Sequence, residues 1–308
     1  MNLEEAIVAE ATRLGFGAVG FATAQPAQTL KIFSAWVADG RAASMRYLAH
    51  HLHLRADPRL LAPGIRSIIV AAARYPTNQQ PGYGFSTCAR GQDYHRVLRS
   101  KLKQLGAFLR HQANAGIIRI CVDSAPILER EWAIRAGIGW LGKQGQVISP
   151  TLGACFVLGE LLVDVTLKPS SVTPNLCGDC HRCVAACPTG AICPDHLLDA
   201  RRCLSYLTIE HPGPIPDDLA PLIRPTLFGC DYCTAVCPWN ETATAPVMAE
   251  LDERPMPTAA ECLKLSQEEF LRRFRATAVL RSGLERLKRN AAAVLKVRDD
   301  SRPHAPEV

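Results

Sequence analysis

Cysteine is the residue type whose spacing carries the first chemical signal in this chain. Cys177, Cys180, Cys183 and Cys187, closed by Pro188, form a C-x2-C-x2-C-x3-C-P run. Cys230, Cys233 and Cys237, closed by Pro238, repeat its second half. Closely spaced thiolates in this pattern wrap a [4Fe–4S] cube. The second run is one cysteine short, and Cys203 between the runs makes up the number, so eight thiolates are available for two cubes. Where two such cubes share a chain, the last cysteine of each run ligates the other cube. That rule assigns Cys177, Cys180, Cys183 and Cys237 to one cluster and Cys187, Cys203, Cys230 and Cys233 to the other. Zinc also accepts C-x2-C pairs, but it gives no reason for the doubled C-x3-C-P ending. The remaining Cys88, Cys121, Cys155, Cys193 and Cys262 are expected to be small buried apolar residues.

A second candidate is a carboxylate. Val122-Asp123-Ser124-Ala125-Pro126 lies between an expected strand over 117–122 and an expected helix over 127–136. A carboxylate at the carboxyl end of a central strand stands where open sheets place reacting groups. Capping the next helix is the competing use of the same residue. In a partly apolar pocket desolvation would raise the Asp123 pKa and let it donate a proton near neutral pH.

The elements that must position these groups follow from periodicity. Helices are expected over 3–14, in 44–64 before a Pro-punctuated loop, and over 93–114; buried strands over 18–22, 67–73 and 154–163. Strands alternating with helices predict an α/β (α+β) domain over residues 1–168. A two-cluster domain follows over 169–242, and a basic helical segment over 243–308. Ser266 to Glu269 and Ser282 to Glu285 read as capping boxes opening late helices, and the tail from Arg302 as frayed. Two glycine patterns are rejected as nucleotide cradles. Gly15-Phe-Gly17-Ala-Val-Gly20 runs from helix to strand, the reverse of the dinucleotide order, and Gly137 to Lys143 is followed by Gln144 where a phosphate loop needs Ser or Thr. His50, His51 and His53 lack the i, i+4 spacing of a helical metal pair and read as exposed.

Composition bounds the rest. The chain has 308 residues, 48% of them hydrophobic, and no apolar run near the ~18 residues that span a membrane. Met1-Asn-Leu-Glu-Glu carries no export signal, so a reducing cytoplasmic setting is expected, where thiols serve metals rather than disulfides. Residues 264–302 hold 11 Lys and Arg against 5 Asp and Glu, so the net charge of +6 resides there. Such a segment is a footprint for a polyanion, or else a solvated helix face.

The joined motifs resemble the epoxyqueuosine reductase family. They are Arg90-Gly-Gln-Asp93-Tyr94-His95, Val122 to Pro126, Arg135 to Lys143, Leu158-Gly159-Glu160, the first cysteine run with Pro188 to Ala191, Leu198 to Glu210 with Cys203, Gly229 to Asn240, and Arg289-Asn290. The resemblance implies a nitroreductase-like cobalamin-binding domain followed by a bacterial ferredoxin-like module and C-terminal helices. It implies base-off cobalamin reduced through two [4Fe–4S] clusters, and removal of the epoxide oxygen from the modified wobble base of tRNA. Asp123 takes the place of that family's proton donor, and the cobalamin contacts fall on Arg46, Ser86, Asp123, Val147, Leu158 and Ser205. The implied partners are tRNA carrying epoxyqueuosine and an electron donor of unspecified identity, with a monomeric enzyme in the cytoplasm. Ser86-Thr87-Cys88 departs from the Ser-Arg-Tyr of many relatives. Longer relatives carry a helical-repeat extension that these 308 residues lack, so the tRNA grip is expected on the helices after 264. Rival readings are a corrinoid reductive dehalogenase, a dicluster electron carrier without its own substrate, and a tRNA-binding module with structural clusters. The first usually carries a twin-arginine signal, and the second leaves about 170 residues before the clusters unused.

Overall fold

The structure is a computed structural model and describes residues 2–77, 84–195 and 197–297. The tail from Arg302 therefore lies outside the described residues. Asn2 caps α1 (Leu3–Arg13) in a capping box with Glu5, and the chain turns through Gly15 into β1 (Ala18–Thr23). Then come α2 (Leu30–Ala38) and two short helices, α3 (Tyr47–His50) and α4 (Leu52–Ala56), before β2 (Ser67–Arg74). Asp93 caps α5 (Tyr94–Ala113), which ends on the left-handed Asn114; β3 (Ile118–Cys121) and α6 (Glu129–Arg135) follow. A small hairpin of β4 (Trp140–Leu141) and β5 (Val147–Ile148) leads to β6 (Phe156–Val163).

The sheet runs β1-β2-β6-β3 and every pairing in it is antiparallel. The domain is thus α+β, and β3 is an edge strand rather than a buried central one, because β6 covers only one of its sides. The apolar run of β2 is continuous because both faces are covered. Ile69, Ala71 and Ala73 join α1 and α5 in one core, while Ile68, Val70 and Ala72 join α6 in another. Leu98, Leu102, Leu105 and Leu109 of α5 are fully buried, each worth about 1.5–3 kcal/mol. On the opposite face β1 meets α6 so closely that a Cβ at Gly20 would lie 1.8 Å from the Ala136 carbonyl oxygen.

Beyond the sheet the chain forms one-turn helices α7 (Arg182–Ala185) and α9 (Tyr232–Ala235), with α8 (Leu204–Ile209) between them. It ends in α10 (Ala259–Lys264), α11 (Gln267–Arg273) and α12 (Leu284–Lys296). The segments 169–242 and 243–308 share a single core, in which Leu204, Leu207 and Phe228 pack with Phe270, Phe274, Leu287 and Ala291. Residues 244–251 return to the first domain, where Met248 and Leu251 enter its core. Ser266 and Glu269 form the expected capping box, but Ser282 does not. Gly283 holds the N-cap of α12, and the Ser282 hydroxyl donates to the Val279 carbonyl instead. No described helix is long and apolar enough to cross a membrane.

Candidate active site

The two cysteine runs fold as near-copies. Cys180 and Cys230 each stand two residues before a one-turn helix, and Cys183 and Cys233 are the second residues of α7 and α9. Cys187 and Cys237 follow in turn, each leading into proline. Cys237 is within electrostatic reach of Cys177, Cys183 and Cys180, and burial pushes its thiol up to about 11. Cys230 and Cys233 both feel Cys203 and Cys187, and burial raises both thiols. Cys183 and Cys233 lie within reach of each other, so the two sets are side by side. The Trp140 indole N–H donates to Cys177 Sγ at 3.3 Å and the Ala191 N–H to Cys187 Sγ at 3.3 Å, the kind of bond that tunes a cluster. Among the described residues no three His, Cys, Asp or Glu groups converge as the ligands of a single metal ion do. A cube takes its thiolates at separate corners and needs no such convergence. Of the other cysteines, Cys121, Cys155 and Cys262 are buried as expected, whereas Cys88 and Cys193 are only half-buried.

Asp123 does not cap a helix. It sits beyond β3 with a left-handed backbone (φ 52°), and its own N–H donates to Glu129 Oε1 at 2.5 Å, while α6 has no side-chain cap. Asp123 Oδ2 is 2.8 Å from His95 Nε2 and 3.7 Å from the Arg281 guanidinium. His95 Nδ1 is 2.6 Å from Asp93 Oδ1, the N-cap carboxylate of α5, and Tyr94 stacks on the imidazole at 3.9 Å. Arg281 also bonds His95 Nε2. Burial would raise the Asp123 pKa, but the bond from His95 and the charges of His95, Arg281 and Arg130 outweigh it and hold the carboxyl below its usual range. The expectation of a raised Asp123 is corrected on this point. The raised acids are Glu129, which burial pushes up to about 7, and Glu160, which burial holds well above the usual carboxyl range. Both Glu160 oxygens are buried without a hydrogen-bond partner among the described residues.

Asp123 and Arg130 are both reached by solvent, with protein packed closely around them. Arg130 is within electrostatic reach of both Asp123 and Cys203. The other expected contacts border this region unevenly. Ser86 packs on Gly229, next to Cys230, and its hydroxyl, with the Thr87 N–H (2.7 Å) and hydroxyl (2.9 Å), donates to Asp231. The Ser86-Thr87-Cys88 departure thus clamps the loop between Cys230 and Cys233. Ser205 is the second residue of α8, just after Cys203, and exposed Arg46 is tied to the same helix through Ser44, which bonds the Tyr206 hydroxyl at 2.7 Å. Leu158 is half-buried on β6, and Val147 is buried in the hairpin. The hairpin turn also carries Gln144, whose buried amide has no partner among the described residues. Mixed apolar walls, serine hydroxyls and an unsatisfied amide suit a corrin ring with its amide periphery, so these residues fit that group. His50, His51 and His53 are exposed.

Asp93, His95, Glu129 and Arg281 escaped the sequence reading as a site. The available signal was Asp93-x-His95 at a helix start, since an N-cap aspartate two residues before a histidine can hold its ring. Glu129 follows Asp123 by six residues but belongs to no motif, and Arg281, 186 residues from His95 in the chain, gave no local signal.

An α+β domain joined to paired thiolate sets, with a carboxylate–histidine pair beside the second set, defines an iron–sulfur oxidoreductase. Residues 176–240 match the family described as 4Fe-4S double cluster binding domain, and residues 55–124 match Epoxyqueuosine reductase QueG, DUF1730. The epoxyqueuosine reductase of Escherichia coli (strain K12) is 38% identical over 294 residues, 92% of this chain and 78% of that protein. That of Alicycliphilus denitrificans is also 38% identical, over 92% of this chain and 84% of its own length. Among solved structures, epoxyqueuosine reductase with an epoxyqueuosine-modified tRNA-Tyr stem loop superposes with a TM-score of 0.89 at 30% identity, covering 96% of this chain and 81% of that one. The Streptococcus thermophilus enzyme gives 0.84 at 32%, with the same coverage. The chain belongs to the epoxyqueuosine reductase family.

Proposed function

We propose that this protein reduces epoxyqueuosine to queuosine at the wobble position of tRNA, with Asp123 delivering a proton to the departing epoxide oxygen. The observation that carries this reading is the Asp123–His95 pair at 2.8 Å, within electrostatic reach of Arg130, which also feels Cys203. Cys177, Cys180, Cys183 and Cys237 would hold one cube, and Cys187, Cys203, Cys230 and Cys233 the other. Arg46, Ser86, Val147, Leu158 and Ser205, with Asp123, would line the seat of a base-off cobalamin. When bound, these groups supply low-potential electrons and the metal centre that receives them beside the substrate.

The protein's own residues then have defined tasks. Losing the epoxide oxygen as water takes two electrons and two protons. Asp123 is the side chain placed to pass on a proton, and His95 and Arg281 steady the carboxylate left behind. Glu129 holds the Asp123 backbone through its N–H and so fixes the direction of the carboxyl group. A wobble base in an anticodon loop is single-stranded and can be turned out of its stack. The tRNA stem-loop complex of the 30% identical relative supports that substrate class. Residues 169–242 form the cluster module in this scheme, between the catalytic domain (1–168) and the basic helices (243–308), and the site of action is the cytoplasm.

The test is anaerobic reconstitution with iron, sulfide and cobalamin. Reductant and tRNA bearing epoxyqueuosine are then added and the nucleosides read by mass spectrometry. Conversion to queuosine with about eight irons per chain is expected. Bound corrinoid and reducible clusters without conversion would refute the reading and favour a different epoxide or halide substrate.

A further inference from the structure

We propose that His95 is the proton store of the reaction, a residue that acts through Asp123, with Asp93 and Arg281 setting when it releases its proton. The inference rests on the assignment of Asp123 as donor and addresses a gap in it. A carboxylate bonded to an imidazole and facing a guanidinium is ionised at neutral pH, and an ionised carboxylate has no proton to give. The nearest atom that can hold a proton for it is His95 Nε2, 2.8 Å from Asp123 Oδ2.

The geometry around the ring specifies how that proton moves. His95 Nδ1 lies 2.6 Å from Asp93 Oδ1, and an acceptor-only carboxylate there demands a proton on Nδ1. The ring is therefore either the imidazolium or the Nδ1–H tautomer, and its variable proton is at Nε2. Nε2 has two neighbours of opposite demand. Asp123 Oδ2 accepts a proton from the imidazolium, whereas the Arg281 guanidinium can only donate, and so bonds Nε2 once that nitrogen is bare. Each arrangement satisfies one proton position. With the proton on Nε2, His95 donates to Asp123; with it on Asp123, Arg281 donates to His95.

The step balances as a single proton transfer. The Nε2–H bond breaks, an Oδ2–H bond forms, and the positive charge of the ring is replaced at Nε2 by a hydrogen bond from a cation that was already there. Asp123 then gives the proton to the substrate oxygen as its C–O bond breaks, and solvent recharges Nε2. The groups facing the ring are Asp93 and Tyr94 on its own helix, Asp123 and Glu129 across the β3–α6 loop, and Arg281 from the C-terminal segment. Burial alone would lower the His95 pKa; the bonds to Asp123 and Asp93 raise it on balance above 6.5, while Arg281 opposes them. The active form is the protonated one, so the rate holds at low pH and falls as pH rises through that elevated value.

The experiment is the pH profile of kcat for the reconstituted holoenzyme on epoxyqueuosine-bearing tRNA, for the wild type and for His95→Gln and Asp93→Asn. The wild type should show a falling limb at a pH above the 6.5 of an ordinary histidine; if it converts nothing, the functional assignment fails rather than the relay. His95→Gln should lower kcat by about 100-fold or more, with tRNA KM and iron content unchanged and the limb abolished. Asp93→Asn should move the limb to lower pH by about one unit, because one of the two bonds that raise the ring's pKa loses its charge. A His95→Gln enzyme within about threefold of wild-type kcat, or one that keeps the wild-type limb, overturns the proposal. So does an Asp93→Asn limb that does not move, and that arm decides alone if His95→Gln fails to fold.

Discussion

Asp123 adopts a left-handed backbone, a conformation that asparagine shares and most side chains resist. Asp123→Asn therefore tests the acid without disturbing the loop, whereas alanine would confound chemistry with strain. The variant should keep its clusters and tRNA affinity and lose turnover by about 10² to 10⁴-fold. Full activity in single-turnover assays would remove Asp123 from the mechanism. Glu129 and Glu160 make a separate prediction, about stability. Both have folded pKa values above their usual 4.5, Glu129 at about 7, so between those pH values the folded state binds more protons than the unfolded one. Stability then falls as pH rises through this window, the opposite of a salt-bridged carboxylate. Glu160→Gln should flatten the fall by on the order of 1–3 kcal/mol, read from denaturation midpoints at pH 5 and 7.5. Equal slopes in the two proteins would mean that Glu160 is ionised in the native state.

At the scale of elements, α12 is held to the cluster module by polar side chains as much as by its apolar face. Asn290 is buried and donates to the carbonyls of Thr208 and Leu227 at 2.9 and 2.8 Å, while Arg289 reaches those of Leu207 and His211. Asn290→Ala would leave two buried acceptors unpaired beside α8 and the second thiol run. A loss of about 2–4 kcal/mol is expected in chemical denaturation, along with easier loss of the second cluster. A change under 0.5 kcal/mol would show that water replaces the amide. These interactions also mark where sequence reading ran out. The strands and long helices of the first domain were legible because burial imposes a period, and the eight thiolates because cluster chemistry imposes a spacing. The sheet order was not, because antiparallel pairing of β6 between β2 and β3 depends on contacts far apart in the chain, and the Asp123–His95–Arg281 contact failed to announce itself for the same reason. Ser282 misled because its motif is genuine in sequence, yet Gly283, with φ 77°, takes the cap and sends the hydroxyl elsewhere.

For the whole molecule, the basic C-terminal segment divides by what each cation already does. Arg286 and Arg289 are spent on backbone carbonyls, holding α12 against residues 207–213. Arg272, Arg273 and Arg275 are exposed on and just after α11, with Arg273 3.5 Å from Glu261. The second group projects its charge into solvent, and Arg281, which follows it, reaches Asp123. The chain thus runs from an exposed cationic surface to the Asp123–His95 pair within one short segment, an arrangement suited to the proposed substrate, an anticodon loop whose backbone is gripped while one base is turned out. Each phosphate neutralised in single-stranded nucleic acid adds about 0.7 to the slope of log K against log salt. Replacing Arg272 and Arg275 by Ala should weaken stem-loop binding and shallow that slope by about 1.4 if each meets a phosphate, with kcat and melting temperature unchanged. Arg289→Ala should do the reverse, lowering the melting temperature and leaving the slope alone. Identical slopes for the double variant and the wild type would move the tRNA grip away from α11.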